Sequence, residues 1–151
     1  MVRALFLDPD VLLCPKRVAA NWVSYGNYNM QEDMARQVFE HAIDDAAIAR
    51  LNAVVEKTDA VIVIASHWLH VWTLGDIASM LQARGFRGTK FSAIHVYKDK
   101  SALSRIGAWL DTVRDCGKTI GGYAVWAGHP LAGYEHDVHR TVALLTGEAA
   151  S

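Results

Sequence analysis

The run "AVIVIA", residues 60–65, restricts this chain more than any other stretch. It is continuously apolar and rich in β-branched residues, so it has no polar face to turn to water. A half-exposed strand alternates; a strand covered on both faces does not. Val61–Ala65 therefore requires helices above and below its sheet. Four further runs read as strands: Ala4–Leu7, Phe91–Tyr97, Tyr123–Ala127 and Thr141–Leu145. Helical patterns lie between them. Ile48, Leu51 and Val55 share one face, Leu74, Ile77 and Leu81 a second, and Leu103, Ile106, Leu110 and Val113 a third. Asp44 or Asp45 can cap the first helix and Thr73 the second, with Gly85 as the latter's stop. Strands alternating with helices predict a three-layer α/β domain with a mostly parallel central sheet. At 151 residues, with 52% apolar and 21% charged residues, the chain has the size and composition of a single globular domain, residues 1–151.

In such a sheet ligands sit at the carboxyl edge of the strands. The first strand ends in "LFLDPDVLL", with Asp8 and Asp10 one residue apart. On an extended backbone residues i and i+2 point to the same side, so two acids there repel. Asp-Pro-Asp is also ordinary turn chemistry, and the tripeptide alone does not separate a turn from a functional pair. The later strands add to it. Ser66 follows the second strand in "VIVIASHW", Lys98 and Lys100 follow the third in "HVYKDKSAL", and "VWAGHP" follows the fourth. Two acids, a hydroxyl and a lysine, each just past a strand, suit phosphoryl transfer. One carboxylate attacks phosphorus, the other moves a proton, and the hydroxyl and ammonium hold phosphoryl oxygens.

This order resembles the haloacid dehalogenase-like (HAD) superfamily, in particular the small HAD domains of Swiss-army-knife RNA repair proteins. "ALFLDPDVLL" is similar to the first motif. "IARLNAVVEKTDAVIVIASHWL" resembles the family stretch in which a helix with Leu-Asn precedes a strand ending in Ser and then Trp. "LQARGF", "IGAWLD" and "RTVALLTGE" resemble later landmarks. The resemblance implies a Rossmannoid three-layer fold without a large cap, and hydrolysis of a phosphomonoester through an aspartyl phosphate. It makes Asp8 the nucleophile, Asp10 the general acid and base, Ser66 a phosphoryl donor, and Lys100 the phosphate-binding lysine, with Lys98 as the alternative. It also implies Mg2+ held by the Asp8 carboxylate and the Asp10 backbone carbonyl, and a small phosphorylated substrate or nucleic-acid end.

The chain departs from the family pattern in three places. Val11 stands where glycine usually follows the second Asp, and Leu69 where an arginine is common. "YAVWAGHPLAG" lacks the metal-binding acid of the fourth motif. His129 is a poor ligand for magnesium, leaving Glu135 or Asp137 to swing in. Without such an acid, the second expectation is a pseudoenzyme that binds a phosphorylated ligand or a protein partner.

Other features carry less. His67, His70 and "YEHDVH" do not match a zinc signature. The segment containing Trp22, Tyr25 and Tyr28 suits a small lid at about residues 14–30, stacking a base or packing on the core. A net charge of −1 gives no electrostatic footprint for nucleic acid or an anionic membrane, and Cys14 and Cys116 alone do not make a disulfide scaffold. No run approaches membrane-spanning length, and Asp8 and Asp10 interrupt the N-terminal apolar stretch, so the expected location is cytoplasmic.

Overall fold

The computed structural model describes residues 1–14, 41–94, 102–127 and 137–147. Four strands form one sheet: β1 (Val2–Leu7), β2 (Val61–Ala65), β3 (Phe91–Ile94) and β4 (Ile120–Trp126). All pairings are parallel, in the order β3-β2-β1-β4. The helices are α1 (Asp45–Thr58), α2 (Leu74–Ala83), α3 (Ala102–Asp115) and α4 (Val138–Thr146).

Strand order explains the layers. The chain steps outward from β1 to β2 to β3, then returns past both to place β4 beyond β1. Parallel crossovers are right-handed, so reversing direction moves the connecting helix to the opposite face. Leu5 and Leu7 of β1 accordingly pack with residues of α1, α2 and α4. Ala4 and Phe6, on the other face, pack with Ile106 and Leu110 of α3. The "AVIVIA" strand divides in the same way, with Ile62 and Ile64 in the first cluster and Val63 in the second, all fully buried. Its lack of alternation thus reflects burial on both faces.

Local chemistry sets the helix ends. Asp44 caps α1, its carboxylate accepting the Ala46 N–H at 3.2 Å. Thr73 and Asp76 form a reciprocal capping box at α2. Beyond α2, Gly85 adopts φ +100°, a conformation that L side chains rarely take. The turn around it is held from α1 by buried Asn52, which donates to the Gly85 carbonyl at 3.0 Å and accepts the Arg87 N–H at 2.8 Å. The Asn of the Leu-Asn landmark therefore joins two helical units. In "IGAWLD", Trp109 packs edge-on against Phe6 and donates to Ser92 Oγ at 3.2 Å, fixing α3 across the sheet.

Two expectations need correction, and a third reaches beyond the described residues. Thr141–Leu145 is not a strand but the middle of α4. Its β-branched and apolar residues have strand propensity, yet Asp137 accepts the His139 N–H at 2.8 Å and Gly147 closes the other end at φ +74°. Caps and the 3.6-residue burial of Val138, Thr141 and Leu145 outweigh propensity here. Strand β4 begins at Ile120, three residues before the expected Tyr123, because Gly121 and Gly122 hide its start. Gly122 is required by packing: a Cβ there would lie 2.3 Å from the Leu144 carbonyl oxygen, where α4 crosses the strand. Strand β3 is described as Phe91–Ile94, and residues 95–97 of the expected run lie outside the described residues.

Candidate functional site

The register brings the carboxyl ends of three strands to one level. Leu7 pairs with Ile64 on one side and with Trp126 on the other. Asp8 extends the ladder by one bond, its N–H donating to the Trp126 carbonyl at 2.8 Å. Asp8 thus emerges from the central strand beside the point where strand order reverses, the usual ligand crevice of such sheets.

From Asp8 the chain turns at once into a 3-10 helix, Pro9–Leu12, with Pro9 at its first position and Asp8 as N-cap. The Asp10 N–H donates to Asp8 Oδ1 at 3.1 Å. The two acids therefore do not lie i and i+2 along one strand, as the extended reading assumed. Asp8 ends the strand and Asp10 sits inside the turn, so the turn and the paired acids belong to one feature. Val11, Leu12 and Leu13 all enter the core. Valine, in place of the glycine that the resemblance implies, thus anchors the turn that carries Asp10.

The second strand repeats the device. Ser66 follows β2, 2% exposed, and caps the 3-10 helix His67–His70. Its Oγ donates to Asp8 Oδ1 at 2.9 Å and accepts the buried Trp68 N–H at 3.2 Å. The Trp68 indole N–H reaches across to Asp10 Oδ1 at 2.6 Å. Two capped turns from strands 58 residues apart in sequence thus meet through their side chains. Each half-buried carboxylate receives donors from this chain, which offsets the repulsion expected between neighbouring acids. Leu69, at the position where the family resemblance implies an arginine, packs against the core.

Asp8, Asp10 and Ser66 are therefore brought together. Lys98 and Lys100 lie outside the described residues, as do His129, Glu135 and residues 15–30 of the expected lid. Asp137 does not swing toward the site. Its Oδ1 accepts the His139 N–H at 2.8 Å and the Arg140 N–H at 3.4 Å, committed to capping α4. Trp68 is the contact that sequence reasoning passed over. The tryptophan of Ser-x-Trp is plain in the sequence, but the acceptor of its indole lies in the turn that follows another strand. A tryptophan following a capping serine, with a polar end that needs a partner when buried, was the available signal.

The oxygens at hand suit a hard divalent cation in kind. The Asp8 carboxylate and the Asp10 carbonyl stand at the site, although that carbonyl also accepts the Leu13 N–H at 3.2 Å. Among the described residues, no group of three or more His, Cys, Asp or Glu gathers as a ready-made metal cage. A cation here would rely on water and substrate oxygens for most of its shell, as magnesium often does. No helix among the described residues is long and apolar enough to cross a membrane.

Comparison with known proteins agrees with this geometry. No curated protein and no solved structure matches the chain. A family model does, described as the HAD domain in Swiss Army Knife RNA repair proteins, and it covers residues 4–124. The matched span includes Asp8, Asp10, Ser66 and Trp68 and ends within β4, before the segment where the acid is missing. With most of its length matched and a parallel three-layer fold presenting Asp-x-Asp and Ser at one edge, the chain belongs to the HAD domain family of Swiss Army Knife RNA repair proteins, a HAD domain of the phosphohydrolase type.

Proposed function

We propose that this domain hydrolyses a phosphomonoester through an aspartyl phosphate on Asp8, with a nucleotide or nucleic-acid end as the substrate class. The observation that carries the reading is the junction of Asp8, Asp10 and Ser66 at the ends of β1 and β2. The substrate class is supported by the RNA repair proteins for which the family is described.

In the first half-reaction an Asp8 oxygen bonds to phosphorus while the ester bond breaks, and Asp10 protonates the departing oxygen. In the second, Asp10 takes a proton from water as the water oxygen bonds to phosphorus. Phosphate leaves and the Asp8 carboxylate is restored. Ser66, which donates to Asp8 in the absence of substrate, is placed to turn its hydroxyl to a phosphoryl oxygen. Lys100, or Lys98 in its place, would supply a cation to the same oxygens. Magnesium held by the Asp8 carboxylate and the Asp10 carbonyl would supply charge neutralisation at the phosphoryl group.

A second reading is favoured by "YAVWAGHPLAG", in which no acid follows β4. In it the domain binds a phosphorylated ligand or a protein partner without turnover. Steady-state assays of the purified protein with magnesium, on an aryl phosphate and on a phosphate-ended oligonucleotide, separate the two. Phosphate release that is abolished in Asp8→Asn supports hydrolysis. Wild-type turnover in Asp8→Asn overturns the nucleophile assignment, and phosphate binding with no release supports the second reading.

A further inference from the structure

We propose that Trp68 is a positioning residue for Asp10, its indole N–H deciding which carboxyl oxygen carries the transferable proton. The inference rests on the phosphohydrolase reading above. Trp68 is 5% exposed, and its indole N–H meets Asp10 Oδ1 at 2.6 Å. The ring is braced edge-on by Trp72, with centroids 5.4 Å apart. The backbone N–H of the same residue donates to Ser66 Oγ, which in turn donates to Asp8. One residue is therefore tied to the general acid directly and to the nucleophile through one hydroxyl.

An indole N–H donates and never accepts. Asp10 Oδ1 must then present a lone pair to Trp68 whether or not the carboxyl is protonated. When Asp10 is an acid, its proton lies on Oδ2, and among the described residues no group bonds that oxygen. Oδ2–H gives its proton to the departing oxygen as the P–O ester bond breaks. The same Oδ2 takes a proton from water as the water oxygen bonds to phosphorus. A hydroxyl or imidazole in place of the indole can both donate and accept, and would permit the proton on either oxygen.

Trp68→Phe removes the N–H and keeps a ring against Trp72. Up to formation of the aspartyl phosphate, the part of the cycle that kcat/KM reports, a misplaced general acid harms only those substrates whose leaving group needs a proton. Hence kcat/KM for an alkyl phosphate should fall roughly 10–100-fold in Trp68→Phe, and for an aryl phosphate with a good leaving group by less than about threefold. In an Asp10→Asn background the same change should have no further effect on the alkyl substrate. Equal losses on both substrates, or no loss on either, overturn the inference, because packing alone does not read the leaving group. An activity-independent arm uses the indole 15N–1H resonance of Trp68, identified by its loss in Trp68→Phe. It should move upfield in Asp10→Ala, and an unmoved resonance overturns the inference even in a protein that turns nothing over. Inactivity of the wild type on both substrates overturns the phosphohydrolase reading instead, and the resonance still decides whether Trp68 holds Asp10.

Discussion

Ser66→Ala removes one oxygen and two hydrogen bonds. The Oγ–H bond to Asp8 Oδ1, at 2.9 Å, is made to a carboxylate, and such bonds contribute about 1.5–3 kcal/mol. The bond from the Trp68 N–H, at 3.2 Å, is a capping bond contributing about 1 kcal/mol. The sum overstates the loss. Asp8 is only half-buried and keeps the Asp10 N–H, so water can replace part of what the serine supplied. We expect a net cost of about 2 kcal/mol, which lowers Tm by roughly 4–8 °C in a domain of this size. Turnover should fall further than stability implies, by roughly 10²–10³-fold, the usual worth of one fixed donor to a phosphoryl or oxyanion oxygen. Ser66→Thr provides the contrast. It retains the hydroxyl but adds a methyl group at a 2%-exposed site, so it should lose stability and keep most of its turnover. Thermal melts followed by circular dichroism, with kcat/KM measured well below each Tm, give both quantities. An Ser66→Ala protein melting within about 1 °C of wild type, with turnover within about threefold, would refute the claim that this hydroxyl joins the two turns.

Two further outcomes follow from the same geometry. Asp10→Asn should slow turnover of an alkyl phosphate by roughly 10²–10⁴-fold in steady-state assays, while isothermal titration shows phosphate binding largely retained. Asn52→Ala, which releases the Gly85 carbonyl and the Arg87 N–H far along the chain from the acids, should cost about 2–3 kcal/mol in chemical denaturation yet leave kcat/KM of the folded enzyme within about threefold.

The parts of this fold visible in the sequence are those that depend on near neighbours. "AVIVIA" reads as a doubly covered strand because each of its residues reports its own burial. Asp44 and Thr73 read as caps because a cap's partners lie two or three residues on. Where two local signals conflict, the weaker can mislead. The β-branched residues of Thr141–Leu145 suggested a strand, while Asp137 and Gly147, the helix punctuation at its ends, decide the outcome. Asp137 reads as a reserve metal ligand in the sequence for the same reason, since its commitment to the α4 amides depends on that helix existing. The site divides similarly. Asp8, Asp10 and Ser66 were placed by the rule that ligands gather at the carboxyl edge of parallel strands. The bond between Trp68 and Asp10 spans 58 residues and depends on the strand order, which no local periodicity contains. Val11 shows the limit of reading by departure. In the sequence it reads only as a departure from glycine, and its place in the core shows that it anchors the turn.

The central claim is that phosphorus becomes bonded to Asp8, and trapping that bond is its most direct test. Asp10→Asn lacks the group that activates water but can still be phosphorylated by an aryl phosphate whose leaving group needs no proton. Incubating this variant with magnesium and the aryl phosphate, quenching in acid and reducing with borohydride converts an aspartyl phosphate to homoserine. Peptide mass spectrometry then locates it. The account predicts homoserine at position 8 in Asp10→Asn, little in the faster wild type, and none in Asp8→Asn. Homoserine at another residue, or wild-type turnover with no trapped residue in either active protein, would contradict it.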